Sequence, residues 1–184
     1  MRYAVVLGAA DCMLHDVQRI AQWGYTMRPT IIAVNDAGWV WPDALDHWVS
    51  LHGEHFPGWQ RKRLDSGASM SYDTWTRPKD DGVKTTHRLG HWGVGSSGLY
   101  AITVAFHLGI DRVVLCGVPM EARPHIANHE KYGADDWPQS EVDIHRPGWE
   151  HHIDKLEGRV KSVSGWTRDL LGYPEMDWLY SEGP

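Results

Sequence analysis

Apolar residues fall along this chain either in short unbroken runs or at helical spacing, and the two patterns alternate. Tyr3, Ala4, Val5, Val6 and Leu7 form one continuous run that Gly8 ends, the pattern of a strand buried on both faces of a parallel sheet. Residues 13–23 follow, with Met13, Val17, Ile20 and Ala21 at helical spacing and Gly24 placed to close the helix. Thr30–Val34 repeats the buried-strand pattern and runs into the turn-prone Asn35-Asp36-Ala37-Gly38. The opening of the chain therefore reads as a βαβ unit, right-handed by the usual rule.

Farther along, the pattern predicts one helical turn over 42–45, a strand over 47–51 and a short helix over 57–64. Residues 65–92 mix Gly, Ser, Thr, Asp and Lys with scattered aromatics, which predicts an irregular or hairpin region with one strand near 68–72. Ser96, Ser97 and Gly98 then form an N-cap cluster ahead of an apolar helix over 99–108, closed by Gly109, and 112–117 is another buried strand. Residues 118–152 hold Pro119, Pro124, Pro138 and Pro147 among histidines and acids, and are expected to form a polar lid or elaborated loop. A last strand over 160–163 and a short helix over 168–171, capped by Ser164 or Thr167, complete the chain. The predicted fold is α/β, a three-layer Rossmann-like domain spanning 1–184 around a mostly parallel sheet of about five or six strands.

Composition narrows the function. With 184 residues, 42% hydrophobic and 23% charged, the chain suits one globular core and not a disordered or repetitive protein. Its 18 Lys+Arg are outnumbered by 24 Asp+Glu, and a net charge of −6 without a basic run argues against a nucleic-acid clamp, leaving room only for a small basic pocket. Two cysteines and no CxxC pair exclude a disulfide scaffold, and no apolar stretch approaches the ~20 residues needed to cross a bilayer. A soluble, unprocessed, cytoplasmic protein is the expectation. The 11 Trp and 12 His are an excess of side chains that line half-wet clefts.

In open parallel sheets ligands bind beyond the carboxyl ends of the strands, so the residues just after each strand are the informative ones. Gly8 and Ala9 begin a tight turn whose helix start offers N–H groups to an anion, although Asp11 serves the same helix dipole. Asn35 and Asp36 stand where this fold reads a ribose or a base, or else form an Asx-turn. His52 is noted for its place after a strand. Ser96, Ser97 and Gly98 present two hydroxyls and a glycine at a helix start, which suits a phosphate or carboxylate as well as plain capping. His125/His129 and His87/His91 have the spacing that sets two imidazoles on one helix face, but there is no HExxH and no metal site is assigned. Cys12, at a helix start, is either a reactive thiol or, with Cys116, a small buried side chain.

The succession Val6-Leu7-Gly8-Ala9-Ala10-Asp11, Val34-Asn35-Asp36, Ser96-Ser97-Gly98 and 109–117 resembles the bacterial sialyltransferases built on a single Rossmann-like nucleotide-binding domain. It is also similar to a related pterin-diphosphokinase-like group, and small proteins of this kind are expected among those encoded by bacteriophages. The resemblance implies that Gly8, Asn35, Ser96, Ser97 and Gly98 hold a nucleotide and that a lid histidine, His145 or His129, is the base. The function so implied is a nucleotide-dependent transferase, glycosyltransferase-like, taking a nucleotide sugar and no cofactor; the alternative is a non-catalytic module that binds a nucleotide or a protein. No DxD motif occurs, which points to metal-free phosphate stabilisation, with Asp135-Asp136 as the place a cation would go otherwise.

Overall fold

The computed structural model describes residues 1–23, 27–78, 84–92, 95–127 and 137–181. In chain order these give β1 (Tyr3–Leu7), α1 (Met13–Ala21), β2 (Thr30–Val34), α2 (Ala37–Val40), β3 (His47–Val49), α3 (Phe56–Asp65), β4 (Asp73–Thr76) and β5 (His87–Arg88). There follow α4 (Ser97–His107), β6 (Arg112–Cys116), α5 (Gln139–His151), α6 (Ile153–Leu156), β7 (Val160–Ser162), α7 (Gly165–Leu171) and α8 (Met176–Tyr180). All seven strands join one sheet in the order β5-β4-β3-β2-β1-β6-β7, and every pairing is parallel. The fold is α/β, three-layered and Rossmann-like, with more strands than the sequence predicts. No helix among the described residues is long and apolar enough to cross a membrane.

Alternation along the strands explains the layers. Ala4, Val6, Ile32, Val34, Val113 and Leu115 face α4, α5 and α6, whereas Val5, Leu7, Ala33, Val114 and Cys116 face α1, α2 and α3. A strand covered on both faces has little room for polar side chains, which is why β1, and β6 after Arg112, read as unbroken apolar runs. Each fully buried Val, Leu or Ile contributes about 1.5–3 kcal/mol, so the centre of the sheet is its most firmly fixed part.

The sequence departs from the structure at its polar segments. Residues 42–45 are not helical; the turn of helix lies earlier, at α2, directly after Asn35-Asp36. The strand expected near 68–72 is β4, at Asp73–Thr76, and it pairs in parallel with β5, so 65–92 is no hairpin. Within 118–152, where a lid is expected, Gln139–His151 forms α5 despite Pro147 in its interior.

The chain reverses its direction of travel across the sheet between β1 and β6, where Gly8 and Gly117 pack back to back. A Cβ on Gly8 would lie 2.1 Å from the Gly117 carbonyl oxygen and 2.5 Å from Val118 Cγ2, with backbone that cannot yield. Behind them, fully buried Asp16 accepts hydrogen bonds through Oδ2 from Gly117 N–H at 2.9 Å and the Ser164 hydroxyl at 2.6 Å, tying α1 to the ends of β6 and β7. Gly8→Ala is expected to cost on the order of 3–5 kcal/mol in urea unfolding. Gly58→Ala, on an open face of α3, should instead stabilise by about 0.5–1 kcal/mol. Equal effects of the two substitutions would refute this reading of the turn.

Candidate functional site

The carboxyl ends of β1, β2, β3 and β6, the start of α4 and the first turns of α5 enclose a cavity of about 470 Å³. It sits at the switch point, where the connections of β1 and β6 leave the sheet and open a crevice. Gly8, Ala9, Asn35, Asp36, Ser96, Ser97, Gly98 and His145 all line it. His129, Asp135 and Asp136 lie outside the described residues.

The first loop uses most of its N–H groups inside the protein. Gly8 N–H donates to the Cys116 carbonyl at 2.7 Å, Ala10 N–H to that of Gly117 at 3.2 Å and Asp11 N–H to that of Pro124 at 3.0 Å. Ile126 N–H returns to the Ala9 carbonyl at 2.8 Å, and Arg123 Nε bonds Asp11 Oδ1 at 2.9 Å. A loop so engaged offers an anion close approach more than donors.

The start of α4 is different. Ser96 is the N-cap residue, extended and without a side-chain bond to its own helix, and Ser97 Oγ accepts from Leu51 N–H at 3.4 Å. The eleven-residue helix therefore turns its first-turn N–H groups and its positive dipole end toward the cavity. Gly98 has a packing reason as well, because a Cβ there would press on Val118 Cγ1 at 3.0 Å and reach Trp149 at 3.5 Å.

Asn35 holds a left-handed backbone, with φ 51°, unusual outside glycine. Its carbonyl accepts from Trp48 Nε1–H at 2.7 Å and its Oδ1 from the Ser50 hydroxyl at 2.8 Å. The side chain is thus not closing an Asx-turn, and its NH₂ is the end without a partner among the described residues. Asp36, buried, accepts from Trp39 Nε1–H at 3.0 Å and stands 3.9 Å from His125 Nε2.

His145 is placed by α5. One ring N–H donates to the Gly95 carbonyl, and the ring stacks on Trp137 at 5.7 Å. Burial holds its pKa below the ordinary histidine value, while Glu141, one turn earlier on α5, pulls the other way. A neutral imidazole with one nitrogen committed to a carbonyl leaves the other as a proton acceptor.

Four histidines line the cavity, His52, His55, His125 and His145, together with Trp59 and Trp137. His145 was legible as a candidate base, His52 by its place after a strand and His125 by its spacing to His129; Trp59, Trp137, Glu141 and Arg123 carry no motif. His87 is on β5, stacked on Trp75 at 4.2 Å and 3.2 Å from Asp73, so it shares no helix face with His91. No three His, Cys, Asp or Glu side chains among the described residues are placed to share a metal ion. Burial pushes the Cys12 thiol up to about 11, the reverse of an activated nucleophile.

No protein-family model, no curated protein and no solved structure matches the chain.

Proposed function

We propose that this protein is a nucleotide-dependent transferase of glycosyltransferase type, taking a nucleotide sugar as donor. The supporting observation is the convergence of Asn35, the bare start of α4 and a tethered, neutral imidazole on one cavity at the switch point of the sheet. In such a transfer the acceptor hydroxyl loses a proton as the carbon it attacks becomes cationic, and the departing phosphate gathers charge. His145 takes the proton, the first turn of α4 with Ser96 and Ser97 receives the phosphate, and Asn35 contacts the nucleoside.

A panel of nucleotides and nucleotide sugars tests this. A ligand at about ten times its Kd adds about 1.4 kcal/mol, a rise of about 3–6 °C in Tm for a chain of this size. Ser96→Ala should shrink that rise while leaving the Tm of the free protein within about 2 °C, since its hydroxyl holds no cap. Turnover of the responding donor should survive EDTA. No thermal response to any nucleotide overturns the proposal, and a response without turnover reassigns the chain as a binding module.

A further inference from the structure

The cavity is lined by a second imidazole, that of His52, whose ring is more than half exposed and whose backbone belongs to the same hydrogen-bonded frame. His52 N–H donates to Ser50 Oγ at 2.8 Å, the fully buried Ser50 hydroxyl donates to Asn35 Oδ1, and the adjacent Leu51 N–H donates to Ser97 Oγ. The backbone that carries His52 is therefore pinned to both Asn35 and the first turn of α4. His145 reaches the same turn from α5 through the Gly95 carbonyl, next to Ser96 in the chain. Each ring has a carboxylate at hand: Glu54 Oε1 is 3.5 Å from His52 Nδ1, and Glu141 is one turn from His145.

We propose that His52 is the second proton-handling group of this site, and that it flanks, with His145, a single anion received at the start of α4. The inference rests on the transfer reading above and adds a proton donor to it. His145 removes the proton of the acceptor hydroxyl as the new carbon–oxygen bond forms. The bond from that carbon to the phosphate oxygen breaks, its electron pair leaves with the phosphate, and the His52 imidazolium delivers a proton to that oxygen. One proton is taken and one is given, so no further reactant is needed.

The surrounding charges leave this role to His52. Glu54 Oε1 stands between two rings of the cavity, 3.5 Å from His52 Nδ1 and 3.9 Å from His55 Nε2. Arg123 is held by Asp11, and His125 faces Asp36, while Glu121 completes the charged lining. A positive charge on His52 disfavours one on His145, which suits the pair to the roles of acid and base.

Ring NMR titration of the full chain tests the pair with no donor present. In the free protein, His52→Gln should raise the His145 midpoint by about half a unit, because a repelling charge is gone. In the wild type, inorganic pyrophosphate should perturb the ring resonances of both His52 and His145. A His145 midpoint indifferent to His52→Gln, or His52 ring resonances indifferent to pyrophosphate, overturns the proposal. With a donor, His52→Gln should reduce kcat by about 10²-fold and remove the fall in rate at alkaline pH. Rings that respond as described in a chain that consumes no nucleotide sugar would refute the transfer reading alone.

Discussion

Replacing His145 by alanine is expected to lower donor turnover by about 10²–10⁴-fold while the protein stays folded. The ring is half-buried between Trp137 and the Gly95 carbonyl, and its loss removes a proton acceptor without opening the core beneath α5, which Val142 and Trp149 hold. The pH profile carries the same information. Burial lowers the folded pKa, so the neutral, proton-accepting form predominates at pH 7, and the rate should fall only as pH drops through that lowered value. Stability follows the same sign: the His145 contribution is present above the unfolded value of about 6.5 and is lost as pH falls through the folded one. Initial rates for His145→Ala and His129→Ala decide the matter. Full activity in the first and none in the second would transfer the role to His129.

Arg63→Met is expected to cost about 3–5 kcal/mol in urea unfolding, although no residue of the site is touched. The guanidinium is completely buried and meets no carboxylate among the described residues; it donates to the carbonyls of Ser69, Gly38, Trp41 and Asp43, each at 2.7 Å. Methionine fills a similar volume but leaves four buried acceptors without donors, and unpaired buried polar groups cost about 1–3 kcal/mol each before the structure relaxes. Arg63→Lys keeps the charge and cannot span the four oxygens, so it should lose nearly as much. A loss below about 1 kcal/mol for Arg63→Met would show that water replaces the guanidinium. The arginine also matters to the cavity, because it anchors α3, and α3 carries Trp59 into the wall.

What the sequence disclosed follows burial. β1, β2 and β6 are covered on both faces and could be read directly, and the candidate site followed because this fold puts ligands beyond such strands. β4 was placed too early, near 68–72, because Asp73-Thr74-Trp75-Thr76 lies toward the edge of the sheet, where Thr74 and Thr76 are held by hydrogen bonds and packing that no apolar period announces. α5 escaped for a related reason. It buries Val142, Gly148 and Trp149 while Ile144 is 69% exposed, so its apolar stripe is broken, and Pro147 argues locally against a helix. The histidines of the cavity were visible as residues but not as a group, since His52 comes from the connection between β3 and β4 and His125 and His145 from that between β6 and β7.

The place of β1 in the sheet has a consequence for how the molecule comes into being. Ala4 is registered with Thr30 on one side and with Val113 on the other, so one flank of the central strand closes early in synthesis and the other only after most of the chain has emerged. Closing so long a loop before its contacts form makes assembly slow, and the open flank of β1 is meanwhile a free edge. The crevice has no existence before that closure, because Gly8 comes from the early half and Ser96 and His145 from the late one. A chain severed between β5 and α4 would carry no site in either fragment, and any binding regained on mixing them would measure their reassociation.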